Sequence, residues 1–165
     1  MAKSILFKTL VDILYILHFI GLIGMLLILP FGRVNINKVN MNVEDLTLFY
    51  CFVVIVGILI YIIFLRGLYY LRKTARFLLS NKYFSEQIIT NLKKSGNHFL
   101  LTGVILLALY AILWIYKLYG GELELVYGTN LLISLFLMII GMFFIIQSDT
   151  LALAKNINEE NELTV

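Results

Sequence analysis

The chain has 165 residues, of which 61% are hydrophobic and 14% charged, with a mean hydropathy of +0.95. A soluble domain of this length needs far more charge to cover its surface, so the composition excludes one and points to a membrane protein. The net charge of +3, from 13 basic and 10 acidic residues, is uninformative as a total; its distribution along the chain carries the information.

Four uncharged stretches, Ile13–Gly32, Leu46–Leu65, Ser95–Tyr116 and Leu125–Ser148, each reach the roughly 20 residues that a helix needs to cross hydrocarbon. The ten-residue alternation of a membrane barrel is absent. The sequence therefore predicts an all-α, single-domain membrane protein over 1–165, with transmembrane helices at about 9–31, 46–66, 98–118 and 128–149. The first run is too long for a signal peptide and lacks a small-x-small cleavage site, so it is expected to remain as a helix. Cys51, as the single cysteine, is read as a small packing residue.

The outer connections are expected at 32–45 and 119–127. Val34-Asn35-Ile36-Asn37 and Val39-Asn40-Met41-Asn42-Val43 alternate with period two, as does Glu122-Leu123-Glu124-Leu125. This pattern predicts a hairpin about Asn37-Lys38 and a third strand beside it, together a small extracytoplasmic β lid; Asn-rich loops of irregular structure are the alternative.

Orientation follows from the basic residues. Lys3, Lys8, Arg66, Arg72, Lys73, Arg76, Lys82, Lys93, Lys94 and Lys155 fall on one side, against Arg33, Lys38 and Lys117 on the other. The positive-inside rule then puts both termini and the 67–97 segment in the cytoplasm, against anionic headgroups of the plasma (inner) membrane. Phe49, Tyr50, Trp114, Tyr116, Tyr119 and Tyr127 gather at the opposite boundary, where amphipathic rings prefer to sit.

Within the inner segment, Leu68, Leu71, Ala75 and Leu78 continue the second helix to about Leu79. A separate short amphipathic helix is then expected over 81–96. Ser85 supplies an N-cap, Phe84 and Ile89 a hydrophobic staple, Ile88, Ile89 and Leu92 an apolar stripe, and Gly96 the C-terminal stop. Arg72, Lys73, Arg76, Lys93 and Lys94 form a basic cytoplasmic platform. Its readings are a topogenic, lipid-contacting loop, a seat for the chain's acidic tail (Glu159, Glu160 and Glu162), and a surface for a protein partner. Direct nucleic-acid binding is the weakest, for no aromatic platform accompanies the charge.

Phe84-Ser85-Glu86, then Leu92-Lys93 and Gly96 ahead of the third membrane helix, resemble the cytoplasmic signature of one bacterial four-helix membrane family, that catalogued as domain of unknown function 2975. The closing Glu160-Asn161-Glu162-Leu163-Thr164-Val165 is similar to that family's acidic tail, with Val in place of a final Ile. The resemblance implies a membrane partner of small helix-turn-helix transcription regulators, and it supplies no catalytic residues.

Catalytic equipment is sparse: two histidines, one cysteine, no metal-ligand spacing and no phosphate-binding glycine loop. No enzyme activity and no cofactor is expected. Counting depth from the helix ends puts Asp12, Arg66 and Asp149 at one height near the inner boundary, where they would form a charge cluster or snorkel separately. His18 lies deeper, either an intramembrane functional group or a neutral imidazole bonded to a nearby hydroxyl such as that of Tyr15. Ser134 and Gln147 are expected to bond across helices. The function expected is that of a non-enzymatic regulatory or signalling protein presenting its basic face to a cytoplasmic partner. A small transporter or channel subunit, its path lined by His18, Thr102, Ser134 and Gln147, or an immunity protein, are the alternatives.

Overall fold

The computed structural model describes residues 2–28, 33–36, 39–42, 48–79, 84–119 and 129–163. In chain order the elements are α1 (Ala2–Ile28), β1 (Arg33–Ile36), β2 (Val39–Asn42), α2 (Leu48–Leu78), α3 (Glu86–Tyr119) and α4 (Thr129–Leu163). Each helix holds a stretch long and apolar enough to cross a membrane: Lys3–Leu27, Val54–Leu78, Glu86–Ile112 and Leu131–Asn161. Helices are what such a sequence must form in lipid, because every backbone N–H and C=O has to be satisfied within the segment. The chain is a multi-pass membrane protein.

The two strands pair antiparallel, with Arg33 opposite Asn42 and Ile36 opposite Val39, flanking Asn37 and Lys38. The expected third strand at 122–125 lies outside the described residues, as do Lys82 and Tyr127, and among the outer aromatic residues only Trp114 has a described side chain.

Packing joins helices that are consecutive in the sequence: α1 on α2, α2 on α3, and most closely α3 on α4. Apolar side chains such as Leu6, Leu17, Ile20, Phe136 and Ile139 face outward. In hydrocarbon this costs nothing, and for the same reason it leaves no hydrophobic force to press helix on helix. The contacts that do the work are close approaches and polar bonds. Among the described residues, each consecutive pair is joined by a hydrogen bond from a side-chain hydroxyl to a neighbour's backbone. Tyr61 donates to the His18 carbonyl at 2.9 Å, Ser95 to the Gly67 carbonyl at 2.9 Å, and Ser148 to the Ile89 carbonyl at 2.8 Å. Such bonds are worth about 0.6 kcal/mol on average in a membrane, and up to about 1.7.

The α3–α4 contact is built on small residues at seven-residue spacing, which keeps them on one face. Ser134, Gly141 and Ser148 of α4 are buried against the face of α3 that carries Gly96 and Gly103. A Cβ on Gly141 would lie 2.5 Å from the Leu100 amide nitrogen, and one on Gly103 would lie 2.8 Å from the Ser134 carbonyl oxygen. Gly67 plays the same part toward α3, where its missing side chain makes room for the Phe99 ring.

The tightest packing lies toward the basic end. Val11, Leu68, Leu71, Leu92 and Phe99 form the buried core there, with Tyr15, Phe64 and Phe144 against it. A run of rings crosses all four helices at one level. His18 lies 5.2 Å from Phe64, Phe64 5.6 Å from Phe99, and Phe99 5.9 Å from Phe144, spacings typical of tilted aromatic pairs.

One expectation is corrected here. The helix that begins after Ser85 does not stop at Gly96; α3 runs unbroken from Glu86 to Tyr119. Ser85 caps its start, the hydroxyl accepting from the Ile88 amide at 3.4 Å. Gly96 is not a C-cap but a contact point: a Cβ there would lie 2.7 Å from the Gly141 carbonyl oxygen. The glycine signal was real, and its cause was helix–helix approach.

Candidate functional site

The basic end of the molecule is formed by the C-terminal turns of α2 and the N-terminal turns of α3, which pack on one another. Ile88 and Leu92 are buried against neighbouring helices, as are Leu68, Leu71, Thr74 and Ala75 on α2. That seats the apolar stripe of residues 88–92 inside the bundle and turns the charged residues outward.

The five platform cations divide by role. Arg72 is half-buried; its Nε donates to Asp12 Oδ1 at 2.5 Å, and its guanidinium lies 5.0 Å from the Tyr15 ring centroid. This ties α1 to α2. Lys8, one turn before Asp12, lies 3.7 Å from the other carboxylate oxygen. Lys93 bonds Asp149 at 3.0 Å, tying α3 to α4 at a more exposed position. Lys73, Arg76 and Lys94 are exposed and make no close ion pair with a described carboxylate, although the Arg76 charge also acts favourably on the Asp12 carboxylate. The Lys94 ammonium lies 5.6 Å from the Tyr70 ring centroid, and the His98 ring 5.3 Å from the same ring.

The expected cluster of Asp12, Arg66 and Asp149 is therefore corrected: the two carboxylates serve different helix pairs, and Arg66 is exposed and joins neither. The reason is register. Asp12 sits opposite Arg72, six residues beyond Arg66, a difference of about 9 Å along a helix axis. The continuation of α2 to Leu78 was expected; what depth counting along single helices could not give is the register in which α1 packs on α2.

His18 is not bonded to the Tyr15 hydroxyl. Its Nδ1 bonds the Leu14 carbonyl of its own helix at 2.8 Å, and its ring lies against Tyr61 and Phe64. Ser134 and Gln147 also depart from expectation: Ser134 donates to Leu131 within α4, and Gln147 is exposed. The cross-helix bonds come from Tyr61, Ser95 and Ser148, which hydropathy alone does not single out. The seven-residue spacing of Ser134, Gly141 and Ser148 was the available signal.

The acidic tail is helical. α4 runs to Leu163, and Glu159 lies 3.6 Å from Lys155 one turn back. Lys93 is level with Asp149, and Glu159 stands ten residues further on, about 15 Å along the axis. Glu159 thus stands past the level of Lys93 and pairs within its own helix; the Glu162 side chain is outside the described residues. Among the described residues, no three His, Cys, Asp or Glu side chains come together as metal ligands.

No curated protein and no solved structure matches the chain. The family model described as protein of unknown function (DUF2975) matches residues 24–165, a stretch that begins within α1 and takes in α2, α3, the platform and the acidic tail. The chain belongs to that family.

Proposed function

We propose that the protein is a non-enzymatic membrane regulator that holds both termini and the α2–α3 hairpin in the cytoplasm and offers its basic face to an acidic surface of a soluble protein. The observation that carries this reading is the division of the platform: Arg72 and Lys93 are spent on ion pairs between helices, while Lys73, Arg76 and Lys94 remain exposed on helices that pack on one another. A cationic surface held in place by packing steers and orients an acidic partner with little ordering cost. The family resemblance supplies the kind of partner, a small helix-turn-helix transcription regulator. The hairpin β1–β2 is on the opposite side in this reading, as part of an outer lid.

A conduit is less favoured. Thr102 and Ser134 direct their hydroxyls to carbonyls of their own helices, and His18 does the same with its ring nitrogen. A path needs such groups free to replace water around a solute.

The test is photo-crosslinking in cells from a reactive residue placed at Arg76. The expected adduct is a soluble helix-turn-helix protein, lost when Lys73 and Lys94 are both changed to Glu and retained when Lys3 and Lys155 are. Adducts confined to membrane proteins would overturn the reading.

A further inference from the structure

Of the four helices, α1 is the least enclosed. Among its described residues only Val11 is buried, and its contact face is one narrow stripe of Val11, Asp12, Tyr15 and His18, laid chiefly on α2. Past Gly21 it touches little: a Cβ on Gly24 would meet nothing within 4 Å, and Ile23, Met25, Leu26 and Leu27 are exposed. Lipid accommodates those side chains as well as protein does, so apolar contact adds little to hold α1 in place. The attachment is polar. Arg72 bonds Asp12 and covers the Tyr15 ring, and the Tyr61 hydroxyl donates to the His18 carbonyl. Three cations gather about Asp12: Arg72, Lys8 at 3.7 Å, and Arg76, one turn beyond Arg72.

We propose that α1 is a releasable strap and that its Asp12 is an internal competitor for the basic platform. When the Asp12–Arg72 pair opens, α1 moves away from α2 within the bilayer. It leaves without unpairing its backbone, since a helix satisfies its own N–H and C=O groups in lipid. The other three helices stay packed through the Ser95 and Ser148 bonds and the Gly96–Gly141 crossing. Arg72 then joins Lys73 and Arg76 as an exposed cation of α2. An acidic surface that engages Arg72 displaces Asp12, so occupation of the platform and release of α1 favour one another, by the reciprocity of linked equilibria. The release stands on these contacts alone; the competition rests on the function proposed above.

The experiment uses the full chain with Cys51→Ser in nanodiscs of zwitterionic lipid. Spin labels at Leu10→Cys and Ile62→Cys report the α1–α2 distance, and a second sample labelled at Leu101→Cys and Ile139→Cys reports α3–α4; all four positions are exposed. In pulsed electron resonance, Asp12→Asn and, separately, Arg72→Gln should each show a longer α1–α2 distance in about a tenth or more of the molecules, with the α3–α4 distance unchanged. Arg66→Gln removes a charge six residues from Arg72 and should change neither distance. An unaltered α1–α2 distance in both variants, or α3–α4 lengthening together with it, would overturn the strap. Competition is read with a hexaglutamate peptide on unlabelled chains in the same nanodiscs. Arg72→Gln should weaken its binding severalfold in the Asp12→Asn background and little in the otherwise native chain. Equal weakening in both would overturn the competition. No hexaglutamate binding by any chain would overturn the platform reading and the competition with it, while the distances still decide the strap.

Discussion

Gly96 and Gly141 meet backbone to backbone where α3 crosses α4, each standing where a Cβ on the other helix would strike a carbonyl oxygen, at 2.7 Å and 2.8 Å. Two effects compete when either is changed to Ala. Helix propensity favours Ala by about 1 kcal/mol, while forcing apart a packed contact costs about 1–3 kcal/mol. The obstacle is backbone, which cannot rotate away, so the steric cost wins. Gly96→Ala and Gly141→Ala should each lower the unfolding midpoint in detergent. Gly24 and Gly57 have open space around the Cβ position, and Gly24→Ala and Gly57→Ala should be neutral or mildly stabilising. A destabilised Gly57→Ala as severe as Gly141→Ala would show that the loss comes from something other than this crossing.

The two interhelix ion pairs should differ in worth. Asp12 and Arg72 have side chains 21% and 25% exposed, whereas Lys93 and Asp149 are 53% and 57% exposed. A double-mutant cycle of Asp12→Asn with Arg72→Gln should give a coupling of about 1–2 kcal/mol, between the surface and buried extremes. The Lys93→Gln and Asp149→Asn cycle should give under about 1 kcal/mol and vanish in high salt. Asp12→Asn with Arg66→Gln should be additive, and coupling there as large as with Arg72 would restore the three-membered cluster.

Ser95 is fully buried and donates to the Gly67 carbonyl. Ser95→Ala should cost about 0.6–1.7 kcal/mol, the range for polar bonds between membrane helices. Thr150 makes its bond within α4 at an exposed position, and Thr150→Ala should leave stability unchanged within error. Thermal unfolding of both variants in one detergent decides it.

What the sequence made legible was set by period and composition. Four apolar runs of spanning length are a one-dimensional signal, so the helices could be located without any knowledge of their neighbours. The strand alternation at 34–36 and 39–42 was equally local. Pairings across helices were not local. Asp12 finds Arg72 because of the register in which α1 packs on α2, and no count along one helix reveals the register of another. Gly96 had two physical explanations, helix stop and close approach, and only the position of Gly141 chooses between them. Asn91 reads in sequence as one more polar residue on a basic segment; its burial depends on how α2 and α3 pack.

In the proposed topology, the positive-inside rule puts the side that carries ten of the thirteen basic residues in the cytoplasm. A reporter active only in the cytoplasm should be active when fused after Val165 or inserted near Asn81, and inactive near Asn37. Activity at Asn37 with silence at Asn81 would invert the topology and move the platform outside.

The tail gives the last expectation. Were Glu159, Glu160 and Glu162 a latch resting on Lys93 and Lys94, their removal would expose the first turns of α3. The helical course of α4 instead carries Glu159 about 15 Å past the level of Lys93, and Glu159 pairs with Lys155 on its own helix. An exposed pair of that kind contributes at most about 0.5 kcal/mol. Deleting 159–165 should therefore leave membrane insertion intact and amide hydrogen exchange over 86–94 unchanged, with faster exchange only in the last turns of α4, where the shortened helix frays. Faster exchange at Ile88–Leu92 in the truncated chain would mean that the tail bends back onto the platform in solution.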